Sequence, residues 1–273
     1  MNTDPSGLPI KCSEILIVGS ALDAEHQGPF GRFKDDLEIH ATDVPINSIQ
    51  VCNADEFEDL LLKCREKARD GYCPLIHIDM HASKDDGVII GKDELVPWKK
   101  LCQLFSGINE FTQNQMMVIL FSCHGLNAIK SPDIQKPAPF VLLAAPSSEI
   151  ATKELSDTVL PFYIELLNNG IDVAWPILRP VFQIFIPELI FRDEIIPKTA
   201  KLYKGKAGQK MMENLITQSL ELCPTNIGPS LKERRLAFKR YKSNIATKEL
   251  AQMKVYMCGR EPCFDIQLAI DNA

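Results

Sequence analysis

Two residues in this chain have the types and the spacing to do chemistry together. His81 ends the apolar stretch Leu75–Met80 (PLIHIDMH), and Cys123 ends the more apolar stretch Met116–Ser122 (QMMVILFS). They are 42 positions apart with one helical pattern between them. In an open α/β sheet functional groups gather at the carboxyl ends of the strands, so neighbouring parallel strands would set the pair side by side. A cysteine becomes a nucleophile when its proton is removed by a base or its thiolate is held by an imidazolium, and His81 could do either. The segment SCHG offers the backbone N–H of Cys123, and the loop after His81 offers a second, to stabilise an oxyanion. The plain alternative is a strand-end thiol beside an unrelated histidine.

A rival chemistry lies in the same strand. His77, Asp79 and His81 alternate onto one face, with Asp85 and Asp86 close behind, as a metal-dependent hydrolase could use. Residues two apart on a strand stand about 7 Å from one another, too far to converge on one ion without bending. His77 and Asp79 are therefore expected to orient the catalytic groups or to be half-buried polar residues, and no metal is expected. His124, adjacent to Cys123, is expected to point to the other side of the strand end. Gly19 follows a strand, but neither GxGxxG nor GxxxxGK[ST] occurs, so no nucleotide loop is expected.

The elements that must position these groups alternate. Strands are expected at Glu14–Ser20, Ser48–Cys52, Pro74–His81, Val88–Ile90, Gln115–Ser122 and Phe140–Ala145. Helices are expected around Phe30, Phe33 and Leu37, over Ala54–Asp70 with Gly71 as a stop, over Pro97–Asn109, and over Thr152–Asn169. Alternation of this kind predicts an α/β fold, a three-layer sandwich with a mostly parallel central sheet flanked by helices. After residue 170, Pro176, Pro180 and Pro187 interrupt an apolar stretch. Two long helices, Thr199–Leu222 and Leu231–Lys254, and an added strand within Val255–Leu268 are expected beyond them. We therefore expect an α/β catalytic core over 1–175 and a helical C-terminal extension over 176–273 packed on it. The basic run Lys232–Lys242 reads as a solvated helix face with Leu236 and Phe238 turned inward.

Composition narrows the function classes. The 273 residues are 45% hydrophobic and 24% charged, which excludes disorder and coiled coil as whole-chain descriptions. A net charge of −6 gives no reason to expect nucleic acid or an anionic membrane as partner. The N-terminus has no signal pattern and no apolar run reaches about 18 residues, so the chain reads as cytoplasmic. Thiols stay reduced in that compartment. The nine cysteines include no CxxC pair, so most are expected to be small buried hydrophobes.

The combination of HIDMHAS, a hairpin with Gly87 and Asp93, a helix, and then VILFSCHG resembles the caspase-like cysteine peptidases over roughly residues 14–170. That group comprises caspases, metacaspases, clostripain-like enzymes, separases and CHAT proteins. The resemblance implies His81 as base or imidazolium, Cys123 as nucleophile, and the N–H groups of Cys123 and Ala82 as the oxyanion hole. Ala82 departs from the glycine usual after the histidine, but it keeps the N–H. The glutamine-alanine prefix and the arginine of true caspases are absent around Cys123, so aspartate specificity is not expected. The first-subsite pocket would be built from the segment after FVLLAAP, with Ser147, Ser148 and Glu149. Glu149 would favour a basic P1 residue, unless it only charges the start of the next helix, with Ser147 or Ser148 as N-cap. The expected activity is hydrolysis of peptide bonds in a protein or peptide substrate, with no cofactor; some relatives also use calcium or a regulatory protein partner. The competing expectation is an inactive caspase-like interaction or scaffold module, for which Ala82 argues.

Overall fold

The computed structural model describes residues 8, 10–21, 33–40, 44–130, 135–149, 152–203, 210, 213–214, 216–218, 229–243 and 245–271. Phe30, part of the first helical pattern, lies outside them. The chain forms two compact units, Asn2–Pro187 with Val255–Glu261, and Glu188–Lys254 with Pro262–Ala273. The first of these runs past the boundary expected at residue 175 and takes in 176–187 and 255–261.

In that unit β1 (Glu14–Ser20), β2 (Ile46–Val51), β3 (Pro74–Asp79), β7 (Met117–Phe121), β8 (Leu142–Ala145) and β9 (Gln183–Phe185) form one sheet. Its order is β2-β1-β3-β7-β8-β9, parallel throughout except for the β8–β9 pair. The fold is α/β with a mostly parallel central sheet. β9 was not foreseen; at three residues it is too short to show a period of two.

Alternation along the strands decides which helices cover which face. Leu16, Val18, Ile76, Ile78, Val118 and Leu120 share a buried cluster with Phe57 and Leu61 of α2 (Ala54–Ala68) and Leu101 and Phe105 of α3 (Trp98–Phe111). The intervening position His77 meets the opposite layer. Its ring lies 5.3 Å from that of Phe33, in α1 (residues 33–40), and 5.8 Å from that of Tyr163, in α4 (Thr152–Asn169). Helices thus cover both faces. α2 starts where the sequence placed it because Asn53 accepts the Glu56 N–H at 2.8 Å while the Glu56 carboxylate accepts the Cys52 N–H at 2.8 Å. Buried Asn109 of α3 fixes the entry to β7. Its amide donates to Asn114 and to the Ala138 carbonyl, and its oxygen accepts from Met116 N–H and the Thr112 hydroxyl.

The expected strand Pro74–His81 is in fact two. β3 ends at Asp79, and β4 (His81–Ser83) starts a separate antiparallel sheet with β5 (Gly87–Ile90) and β6 (Glu94–Pro97). His81 leaves the central ladder to pair with Ile89. This small sheet needs glycine at position 87, where a Cβ would lie 2.0 Å from the Val96 carbonyl oxygen.

Beyond α4 the prolines interrupt less than the sequence implied. Pro176 lies inside α5 (Ile171–Leu178), whose Ala174, Trp175 and Leu178 are buried, so packing outweighs the lost backbone hydrogen bond. The second unit begins in α6 (Pro187–Ile190), continues through a π-helical turn (Phe191–Ile195) and α7 (Ile196–Tyr203), and includes α8 (Leu231–Ser243), the greater part of α9 (Ile245–Tyr256) and α10 (Ile266–Asp271). Most of the expected helix Thr199–Leu222 beyond α7 lies outside the described residues. Leu236 of α8 is exposed, not turned inward. Val255–Leu268 is not a strand. Cys258 and Gly259 take left-handed backbone angles, and Asp265 caps α10 by accepting the Leu268 N–H at 3.1 Å. Among the described residues no helix is long and apolar enough to cross a membrane.

Candidate functional site

Three neighbouring strand ends, those of β3, β7 and β8, carry the candidate residues. β3 and β7 are adjacent, and their last rung pairs Asp79 with Phe121. His81 and Cys123 each follow that rung by two residues. His81 is exposed at the start of β4 and Cys123 is half-buried in the turn after β7. Ala82 follows in β4, opposite Val88, and packs against the core.

The turn around Cys123 is built by its neighbours. His124 takes φ +59, and the Gly125 N–H donates to the Ser122 carbonyl at 3.0 Å. Gly125 is required for space, since a Cβ there would lie 2.9 Å from Leu120 Cβ and 3.2 Å from Ala145 Cβ. A 3₁₀ turn, Gly125–Lys130, then carries the chain away.

Two backbone hydrogen bonds join this turn to the end of β8. His124 N–H donates to Ser148 O at 3.3 Å, and Leu126 N–H donates to Pro146 O at 3.0 Å. Ser147, Ser148 and Glu149 therefore stand beside the cysteine turn. Ser147 Oγ accepts from Gln183 Nε2 of β9 at 3.2 Å. Neither serine is an N-cap, because α4 begins at Thr152. The exposed Glu149 carboxylate lies 3.8 Å from His124 Nε2. His124 thus turns toward the β8 loop, a role the sequence reading did not give it. The available signal was its tolerance, as histidine, of the left-handed region.

Of the eight described cysteines, Cys64, Cys73 and Cys102 are buried, Cys12, Cys123 and Cys258 are half-buried, and Cys52 and Cys263 are exposed. Desolvation pushes Cys12 and Cys64 up to about 11, and Cys73, Cys102 and Cys258 up to about 12, which holds them protonated at neutral pH. None of the eight described cysteines is in a disulfide.

The rival metal set is not assembled. His77 is buried, its Nδ1 is 3.0 Å from the Tyr163 hydroxyl, and its ring lies 5.4 Å from that of Phe121. Burial lowers its pKa from 6.5 to about 4, against the opposing pull of Asp79. It is a core histidine. Among the described residues no three His, Cys, Asp or Glu side chains are gathered as a metal ion requires. No protein-family model matches this chain, and no curated protein sequence matches it.

Proposed function

We propose that the chain is a caspase-like cysteine endopeptidase with His81 and Cys123 as its dyad. The observation that supports this reading is the β3–β7 register: the strands are adjacent, their last rung pairs Asp79 with Phe121, and His81 and Cys123 each follow that rung by two residues of sequence. Cys123 Sγ attacks the scissile carbonyl carbon, and His81 accepts the thiol proton and delivers it to the leaving amine. The C–N bond breaks to leave a thioester, which water hydrolyses with His81 as base. The oxyanion is held by the N–H groups of Cys123 and Ala82. No cofactor is needed for these steps. Glu149, beside the turn, favours substrates with a basic P1 side chain.

Peptide-library cleavage read by mass spectrometry tests this with the wild type, Cys123→Ala and His81→Ala. Cleavage by the wild type alone supports the dyad. Equal inactivity of all three turns the reading to the interaction or scaffold module, and cleavage surviving Cys123→Ala places the chemistry elsewhere.

A further inference from the structure

α8 gathers positive charge on a chain that is acidic overall. Six of the eleven residues 232–242 are Lys or Arg, while the whole chain carries −6. Glu233 is the only acid of the helix, and it is engaged at the helix start. Its carboxylate accepts the Ser230 N–H at 2.7 Å, and Ser230 Oγ accepts the Glu233 N–H at 3.3 Å. With about 3.6 residues per turn, Leu231, Lys232, Arg235, Leu236 and Lys239 share one face, on which Glu233 does not fall. The three cations run along the middle of that face and the two leucines border it. All five residues are exposed, Leu231 by 37% and Leu236 by 47%.

The chemistry of the face says what would cover it. Lys232 with Arg235, and Arg235 with Lys239, are like charges three and four residues apart, which repel. Among the described residues Lys232 and Lys239 make no ion pair. Arg235 meets the Glu213 carboxylate at 3.0 Å with both side chains still half in solvent, so a carboxylate already approaches this face. Acids relieve the repulsion, and apolar side chains among them take the leucines out of water. A phosphate backbone offers only the charge, and a membrane-surface helix needs a broad apolar face where this one has cations. We propose that α8 docks an acidic segment of another protein, with apolar residues set among its carboxylates. The proposal stands apart from the peptidase reading, since α8 belongs to the second unit and the dyad to the first.

Fluorescence anisotropy with the full chain tests this, using a labelled peptide of Glu-Glu-Leu repeats as the probe. The wild type binds it, and raising salt from about 50 to about 300 mM weakens the binding. Lys232→Gln with Lys239→Gln weakens it about tenfold, two exposed ion pairs being lost together. Leu236→Ser weakens it about fivefold, and a Glu-Glu-Ser repeat binds the wild type less tightly than Glu-Glu-Leu. Both variants keep the wild-type circular dichroism spectrum, because the changed side chains are exposed. Absence of binding up to about 100 μM overturns the proposal. So does binding indifferent to the lysine pair or to Leu236, or a Glu-Glu-Ser repeat bound equally well. Tighter binding of oligouridylate RNA or of phosphatidylserine vesicles overturns it too, giving the face to a polyphosphate or to a membrane.

Discussion

The His124 amide donates to the Ser148 carbonyl at 3.3 Å, so the turn that carries Cys123 and the loop that carries Glu149 are tied together by their backbones. With the Leu126–Pro146 bond, the candidate nucleophile and the candidate specificity loop are positioned as one piece. Mutations that disturb the turn should therefore be felt in both.

Gly125→Ala is the sharpest such disturbance. Its added methyl meets Leu120 Cβ at 2.9 Å and Ala145 Cβ at 3.2 Å, both on buried strands that cannot yield freely. We expect a loss of about 1–3 kcal/mol, the usual cost of overpacking. Urea unfolding checks it, and Ala145→Gly in the same chain should recover part of the loss by removing one of the two obstructing atoms.

Glu149→Gln addresses specificity within the proposed peptidase reading. The carboxylate is exposed and 3.8 Å from His124 Nε2, so its attraction for a basic P1 side chain is screened. The preference for Arg or Lys over a neutral residue should fall no more than about tenfold, the scale of an exposed ion pair. Competition between P1-Lys and P1-norleucine peptides measures it, and an unchanged ratio removes Glu149 from the pocket.

The sheet was legible because its strands are short apolar runs punctuated by glycine and proline, and the β3 and β7 cores fell where LIHID and MVILF stand. The break at Met80 was not, because an apolar residue there satisfies either one long strand or two, and what separates them is pairing with β5. Candidate residues at strand ends could be named from position, whereas the orientation of His124 could not. It depends on a left-handed backbone angle and on a loop that returns from β8.

Asn109→Ala should be among the more damaging single changes in the core. This side chain is fully buried and joins Asn114, Ala138, Thr112 and Met116 at the entry to β7. Truncation leaves buried donors and acceptors without that partner, at about 1–3 kcal/mol for each such group. We expect a lower unfolding midpoint and earlier proteolysis between α3 and β7, followed by limited chymotrypsin cleavage after Phe111.

His77 makes stability depend on pH below neutrality. Burial depresses its folded-state pKa from 6.5 to about 4, so the unfolded chain takes up a proton that the folded chain refuses. The stabilising contribution of the neutral ring is whole above about pH 6.5 and declines as pH falls through the window from 6.5 to 4. By the lower end the loss approaches about 3 kcal/mol, at 1.36 kcal/mol for each pH unit of separation. His77→Gln, which can still bond the Tyr163 hydroxyl but does not titrate, should be less stable at pH 7 and should flatten the fall between pH 6.5 and 4.5. Urea midpoints at several pH values for both chains provide the measurement. Parallel curves would mean that the acid sensitivity comes from other groups and that the ring at position 77 is not held neutral by its surroundings.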